Sequence, residues 1–132
     1  MAELILPQQS YQLVGVLFDA YNELGPVSYK EKHFQKAVEI KLKQNNIPFK
    51  SQPEIKIEIA DGELGDLFVD LIVFEPPNEI IVELKRSKYI TLDDIRQING
   101  YLEVTGIKLG MIVNATRNGK LKYKRIINSK II

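Results

Sequence analysis

Three charged residues sit where an apolar strand would ordinarily exclude them. Asp70 interrupts the run Leu67-Phe68-Val69-Asp70-Leu71-Ile72-Val73-Phe74, and Glu83 and Lys85 close the run Glu79-Ile80-Ile81-Val82-Glu83-Leu84-Lys85. Residues two apart on a strand point to one face, so Glu83 and Lys85 share theirs. A carboxylate buried without a partner is costly, and such groups are as a rule paired or metal-bound. The residues leave two readings open. In the first, Lys85 forms an ion pair with Glu83 or Asp70 and ties the strands together, although buried pairs of this kind stabilise little on net. In the second, two carboxylates on adjacent strands offer hard oxygens to Mg2+ or Mn2+. A nearby ammonium then orients or helps deprotonate a water, and the metal takes up charge on a phosphoryl oxygen.

The elements that must position these groups can be read from periodicity. Leu13, Leu17, Ala20, Tyr21 and Leu24 recur at helical spacing and predict a helix from about Ser10 to Leu24, stopped by Gly25-Pro26. A second helix is expected from about Tyr29 to Gln44, with Phe34, Ala37, Val38, Ile40 and Leu42 on its apolar face and Asn45-Asn46 and Pro48 after it. The period then changes. Ile55, Ile57 and Ile59 alternate with Lys56 and Glu58 as in a half-buried strand, and Asp61-Gly62 is a hairpin signal. The near-continuous apolar run 67–74 predicts a central strand covered on both faces, and 79–85 a second buried strand after the turn Pro76-Pro77-Asn78. Thr91-Leu92-Asp93-Asp94 has the form of a capping box, opening a helix that carries Ile95, Ile98 and Leu102 and ends at Gly106. Strands from Ile107 to Asn114 and from Leu121, with a turn at Asn118-Gly119, complete the chain. The order is α-α-β-β-β-α-β-β. The third helix serves as a crossover to a parallel strand, and the result is an α/β protein with a mixed central sheet flanked by helices.

Bulk properties narrow the classes. A chain of 132 residues, 45% hydrophobic and 27% charged, fits a single domain over residues 1–132 with a core of its own. It has no cysteine, so disulfides, thiolate metal sites and thiol nucleophiles are excluded. The start Met1-Ala2-Glu3-Leu4-Ile5-Leu6-Pro7 lacks the pattern of a secretory leader. No window approaches the roughly 20 apolar residues of a membrane span. The expectation is a cytoplasmic protein with no membrane partner. With 18 basic and 17 acidic residues the net charge is +1, so global charge does not announce nucleic acid. Two local clusters lean that way: Lys85, Arg86 and Lys88, and then Lys120, Lys122, Lys124 and Arg125. Either is equally well a solvated face unless it lies near the chemistry.

The spacing of Asp70 from Glu83-Leu84-Lys85 resembles the signature of the PD-(D/E)XK nuclease superfamily. From about Gln12 to Asn114 the chain also resembles the GxxExxY proteins within it. The matching segments are Val14-Gly15, Phe18-Asp19-Ala20-Tyr21-Asn22-Glu23-Leu24-Gly25, Ile47-Pro48-Phe49, Val69-Asp70-Leu71-Ile72-Val73, Ile81-Val82-Glu83-Leu84-Lys85, Gly100-Tyr101-Leu102 and Thr105-Gly106-Ile107-Lys108-Leu109-Gly110. In the motif that names the family, Ser28 stands where glycine is usual and Phe34 where tyrosine is; Glu31 keeps the acid. The resemblance implies a restriction-endonuclease-like core and a Mg2+- or Mn2+-dependent nuclease acting on nucleic acid, with DNA the expected substrate. It implies Asp70, Glu83 and the carbonyl of Leu84 as metal ligands, with Glu31 joining the metal or its water network and Lys85 positioning the attacking water and balancing charge on the transition state. Gln97 and Tyr101, four apart on the third helix, resemble a Gln-x-x-x-Tyr pattern of RecB-type nucleases and would orient substrate. Arg86 and Lys88 would hold the phosphate backbone.

Other readings remain beside that one. Glu31 is equally a helix-surface acid, Tyr101 a packed ring, and His33, the only histidine, a packed or surface residue. The same fold can carry a non-catalytic module that binds nucleic acid or a protein partner. A junction-resolving homodimer is a third, in which Ile126-Ile127 and Ile131-Ile132 would bury against a second copy.

Overall fold

The computed structural model describes residues 5–25, 29–59 and 62–131. Pro26, Ser28, Asp61 and Ile132, which carry parts of the expected stop signal, naming motif, hairpin turn and tail, lie outside them. Helix α1 spans Pro7–Leu24 and buries Leu13, Val16, Leu17 and Ala20. Gly25 ends it at φ 65°, its N–H donating to the Tyr21 carbonyl. That left-handed conformation is one glycine adopts without steric penalty. Helix α2, Glu31–Gln44, buries Phe34, Val38 and Leu42. It begins two residues later than its apolar pattern suggests, because Lys30 is extended and its N–H donates to Nδ1 of His33 at 3.0 Å. The lone histidine is therefore part of a helix cap.

Among the described residues seven strands follow, in two sheets. β1 (Phe49–Ser51), β4 (Leu71–Val73), β5 (Ile80–Lys85), β6 (Leu109–Ala115) and β7 (Leu121–Ile127) form a five-stranded sheet in the order β1-β4-β5-β6-β7. β2 (Glu54–Ile59) and β3 (Gly62–Phe68) form a separate antiparallel hairpin. β5 and β6 are parallel, joined by helix α3 (Leu92–Thr105), and every other pair is antiparallel. The expected α/β class and mixed sheet hold. The segment between α2 and α3 contains five strands rather than three. The three-residue β1 is too short to declare a period, and the single central strand expected over 67–74 is two. β3 ends at Phe68 in the hairpin, and β4 begins at Leu71 in the main sheet. The break falls at Asp70, whose own side chain takes the neighbouring strand's N–H, as described below.

Alternation along β5 divides the core. Ile80, Val82 and Leu84 face α1 and α2, together with Leu71, Val73, Leu109, Met111 and Val113. Ile81 faces α3, in a cluster with Ile72, Ile98, Tyr101, Leu102 and Ile112. Glu83 and Lys85 fall in the same phase as Ile81, so their side chains project toward α3. Ile126 belongs to the α3-side cluster and Ile127 packs against the other, so this pair is used within the chain's own two layers. Edge strand β7 exposes Lys122 and Lys124, a common way to discourage strand pairing with other chains. Arg125 instead donates to the Ile5 carbonyl and, at 3.3 Å, to the Ser10 hydroxyl. The second basic cluster is thus divided between a solvated edge and an internal clasp.

Helix α3 lies hard against β6. A Cβ on Gly110 would stand 2.7 Å from Ile98 Cδ1 and 2.9 Å from its Cγ1, closer than carbon atoms tolerate. Overpacking a well-filled interface of this kind costs about 1–3 kcal/mol. Gly110→Val should lower the urea midpoint accordingly, with Gly110→Ala falling between it and wild type. Equal midpoints for all three would mean that α3 is not seated as described.

Candidate metal and catalytic site

The site grows from the place where the β4–β5 ladder runs out. Leu71 still pairs with Val82, but one residue back the main chain no longer bonds to the main chain of β5. The Asp70 N–H donates to Glu83 Oε1 at 3.0 Å, and the Leu84 N–H donates to Asp70 Oδ2 at 2.7 Å. Two carboxylates thus stand in for the missing rungs, each fixed by a backbone donor on the other strand. Asp70 is held further through its carbonyl, which accepts from the Gln52 N–H at 2.8 Å and from Gln35 Nε2 at 3.2 Å. That second bond ties α2 to the site.

Electrostatics follow from this arrangement. Glu83 is only 8% exposed. Burial, reinforced by the Asp70 charge, pushes its carboxyl up to about 8, against the pull of the Asp70 N–H and Lys85. Asp70 is also raised, by burial first, with the Leu84 N–H and Lys85 opposing. Neighbouring acids in a poorly solvated place resist joint ionisation unless a cation compensates them. Glu31, the first residue of α2, is exposed, and its carboxyl is raised by partial burial and by Asp70 and lowered by Lys85. It therefore senses both the acid and the lysine. On α3, Tyr101 is buried, and its phenol is raised by burial, then by Glu83 and Asp70.

Lys85 ends β5 with its side chain 27% exposed, and its ammonium stands 3.5 Å from Oδ1 of Asp94. Asp94 closes the α3 capping box: its N–H donates to the Thr91 hydroxyl at 3.1 Å, and its carboxylate accepts the Thr91 N–H at 2.9 Å. Burial alone would raise Asp94, but the Thr91 N–H and Lys85 outweigh it and hold its carboxyl below the ordinary value. The lysine's ion-pair partner is thus neither Glu83 nor Asp70, the partners considered from sequence, but an acid that sequence reading assigned only to a helix cap.

The structure brings Asp70, Glu83, Lys85, Glu31 and Tyr101 into one electrostatic neighbourhood. The remaining residues fall differently. Gln97, one turn before Tyr101, is exposed. Arg86 is engaged internally: Nε donates to the Tyr29 carbonyl at 2.7 Å, a terminal nitrogen donates to the Ala115 carbonyl at 3.1 Å, and the guanidinium lies 3.8 Å over the Tyr29 ring. It clasps the approach to α2 onto the end of β6. Lys88 is exposed and lines a cleft of about 410 Å3 with Lys85, Ser87, Tyr89, Thr91 and Asp94. The cleft opens beyond the carboxyl end of β5, where open α/β sheets place their ligands. Asn114, opposite Lys85 in the parallel register and fully buried, is the other residue beside this cluster that sequence reading did not single out. The signal was a polar residue at the end of an apolar strand.

Among the described residues, no three histidine, aspartate or glutamate side chains form a ready-made metal cage. The pair Asp70 and Glu83 nonetheless fits a hard divalent cation. Mg2+ is typically held by one or two carboxylates while it keeps several waters, and two raised, crowded acids are a donor set that such a charge would relieve.

Two solved structures resemble this chain. The crystal structure of SSO0001 superposes with a TM-score of 0.55 at 19% identity, over 70% of this chain and 48% of that one, so the chain spans about half the length of that protein. The likeness is one of fold. Archaeoglobus fulgidus Hjc, a Holliday junction resolvase from an archaeal hyperthermophile, matches with a TM-score of 0.47 at 11% identity, over 74% of this chain and 88% of that one. No curated protein matches the chain. A family model described as the PD-(D/E)XK nuclease superfamily matches residues 7–126. Because that match takes in both helices before the sheet, the acid pair, the lysine and the whole of α3, the chain belongs to the PD-(D/E)XK nuclease superfamily.

Proposed function

We propose that the protein is a divalent-metal-dependent nuclease that hydrolyses phosphodiester bonds in DNA, and that it falls in the GxxExxY branch of the superfamily. The observation that carries this reading is the reciprocal pair Asp70–Glu83, in which the Asp70 N–H holds Glu83 and the Leu84 N–H holds Asp70, on and beside the strand whose last residue is Lys85. A purely structural ion pair would set Lys85 on those acids; instead it pairs with Asp94 at the mouth of a cleft.

In this reading Asp70, Glu83 and the Leu84 carbonyl would hold Mg2+ or Mn2+, which would supply Lewis-acid stabilisation of charge at the phosphate and acidify the attacking water. The chain's own groups do the rest. Lys85 orients the attacking water and offsets negative charge that builds on the phosphorane-like transition state. Asp94 holds the ammonium in place from α3. Glu31 accepts a hydrogen bond from water at the rim. The Tyr101 phenol and Gln97, on one face of α3, position the substrate, and Lys88 neutralises a backbone phosphate. Arg86 acts at one remove, by fixing the start of α2 and so the position of Glu31.

The test is cleavage of single-stranded, duplex and branched DNA with Mg2+ or Mn2+, beside EDTA and Asp70→Ala. Cleavage lost in both controls is the expected result. Binding to DNA without cleavage of any substrate, at a melting temperature raised by metal, would replace this reading with that of a non-catalytic module.

A further inference from the structure

Four residues beyond Lys85, Tyr89 stands 68% exposed on the wall of the cleft that holds Lys85 and Asp94. An exposed tyrosine on a loose loop would need no explanation. This loop is held. The Ser87 N–H donates to Asn114 Oδ1 at 2.9 Å, and Asn114 Nδ2 donates back to the Ser87 carbonyl at 3.1 Å. Asn114 itself is fully buried in β6. The Ser87 hydroxyl donates to the carbonyl of Tyr89 at 3.1 Å, and two residues later Thr91 is locked into the α3 cap. The backbone that carries the ring is therefore fixed on both sides, while the ring is left in solvent. Fixing a backbone loses conformational entropy, and here it presents an aromatic side chain beside Lys85 and the exposed Lys88.

A rigid aromatic ring next to lysines is the arrangement that receives single-stranded nucleic acid: a base stacks on the ring and the adjoining phosphates meet the cations. A base inside a duplex is already stacked on both faces and cannot use it. We propose that Tyr89 is the stacking platform for an unpaired base flanking the phosphate to be cut, so that the preferred substrate is a single strand or a single-stranded segment. The proposal rests on the nuclease reading above and adds the substrate class to it.

The chain contains no tryptophan, so Tyr89→Trp places a unique fluorophore on the platform. Titration with a deoxythymidine strand of about 12 nucleotides, with Ca2+ in place of Mg2+ to slow cleavage, should quench that fluorescence, and a blunt duplex of equal length should not. In cleavage assays Tyr89→Ala should lose roughly tenfold in kcat/KM on the single strand, carried by KM, with duplex cleavage unchanged and Tyr89→Phe close to wild type. Cleavage of the single strand without quenching, or equal losses on both substrates, would overturn the platform and leave the nuclease reading standing. Quenching by the single strand alone, with no cleavage of any DNA, would uphold the platform and overturn the nuclease reading.

Discussion

Lys85→Met is expected to slow cleavage about a thousandfold while leaving the fold and the acid pair in place. Methionine keeps an unbranched stem of similar reach, so the packing of the lysine's methylenes is retained and only the charge is removed. The loss should appear in kcat, because in the proposed mechanism the ammonium acts on charge that develops during reaction rather than on the resting substrate. The cost to stability should stay under about 1 kcal/mol, since the Lys85–Asp94 pair is partly solvated and such pairs contribute little. Lys85→Arg should not rescue the rate, because a planar guanidinium cannot reproduce a compact ammonium held by a single carboxylate. Single-turnover rates beside urea midpoints for the three proteins make the measurement. A Lys85→Met protein that cleaves at more than about a tenth of the wild-type rate would remove the lysine from the chemistry and leave it as a partner that steadies α3.

What was legible in the chain follows the physics of each signal. Asp70, Glu83 and Lys85 were visible because charge inside an apolar run is costly and therefore informative. Helix α3 was visible because a capping box and a C′ glycine punctuate it at both ends. The division of 67–74 into two strands was not, because hydropathy cannot register the moment when an aspartate replaces a main-chain rung. Asp94 was seen, but in one role only; a residue that caps a helix and also receives an ion pair from the preceding strand carries the same local pattern as one that merely caps. Arg86 read as a free cation because its partners, the carbonyls of Tyr29 and Ala115, are main-chain atoms that any sequence supplies. The Asn114 clasp was hidden for a similar reason: it joins two loci 27 residues apart through a backbone group.

Glu83→Gln should stabilise the metal-free protein above neutral pH and erase its response to divalent cations. In the folded chain the Glu83 carboxyl titrates at about 8, against an ordinary value of 4.5. Between those values the folded state retains a proton that the unfolded state has released. The associated stability is therefore complete below about pH 4.5, declines as pH rises, and levels off above about 8. Asp70, raised as well, acts in the same direction. The loss across this window should be on the order of 2–4 kcal/mol in EDTA. Glutamine preserves an oxygen for the Asp70 N–H, now 3.0 Å from Glu83 Oε1, and has no proton to lose, so the variant's stability should fall less with pH, the remaining slope coming from Asp70. Mg2+ or Mn2+ should restore wild type most at about pH 8 and least at about pH 5, because metal and proton compete for the same oxygens. Urea midpoints from about pH 5 to 9, with and without metal, test this. Wild-type stability that rises with pH in EDTA would mean that the two acids are already compensated by cationic side chains. A metal effect of equal size in Glu83→Gln would mean that the cation binds elsewhere. The expected pattern, in contrast, would make the instability of the bare acid pair the source of its affinity for metal.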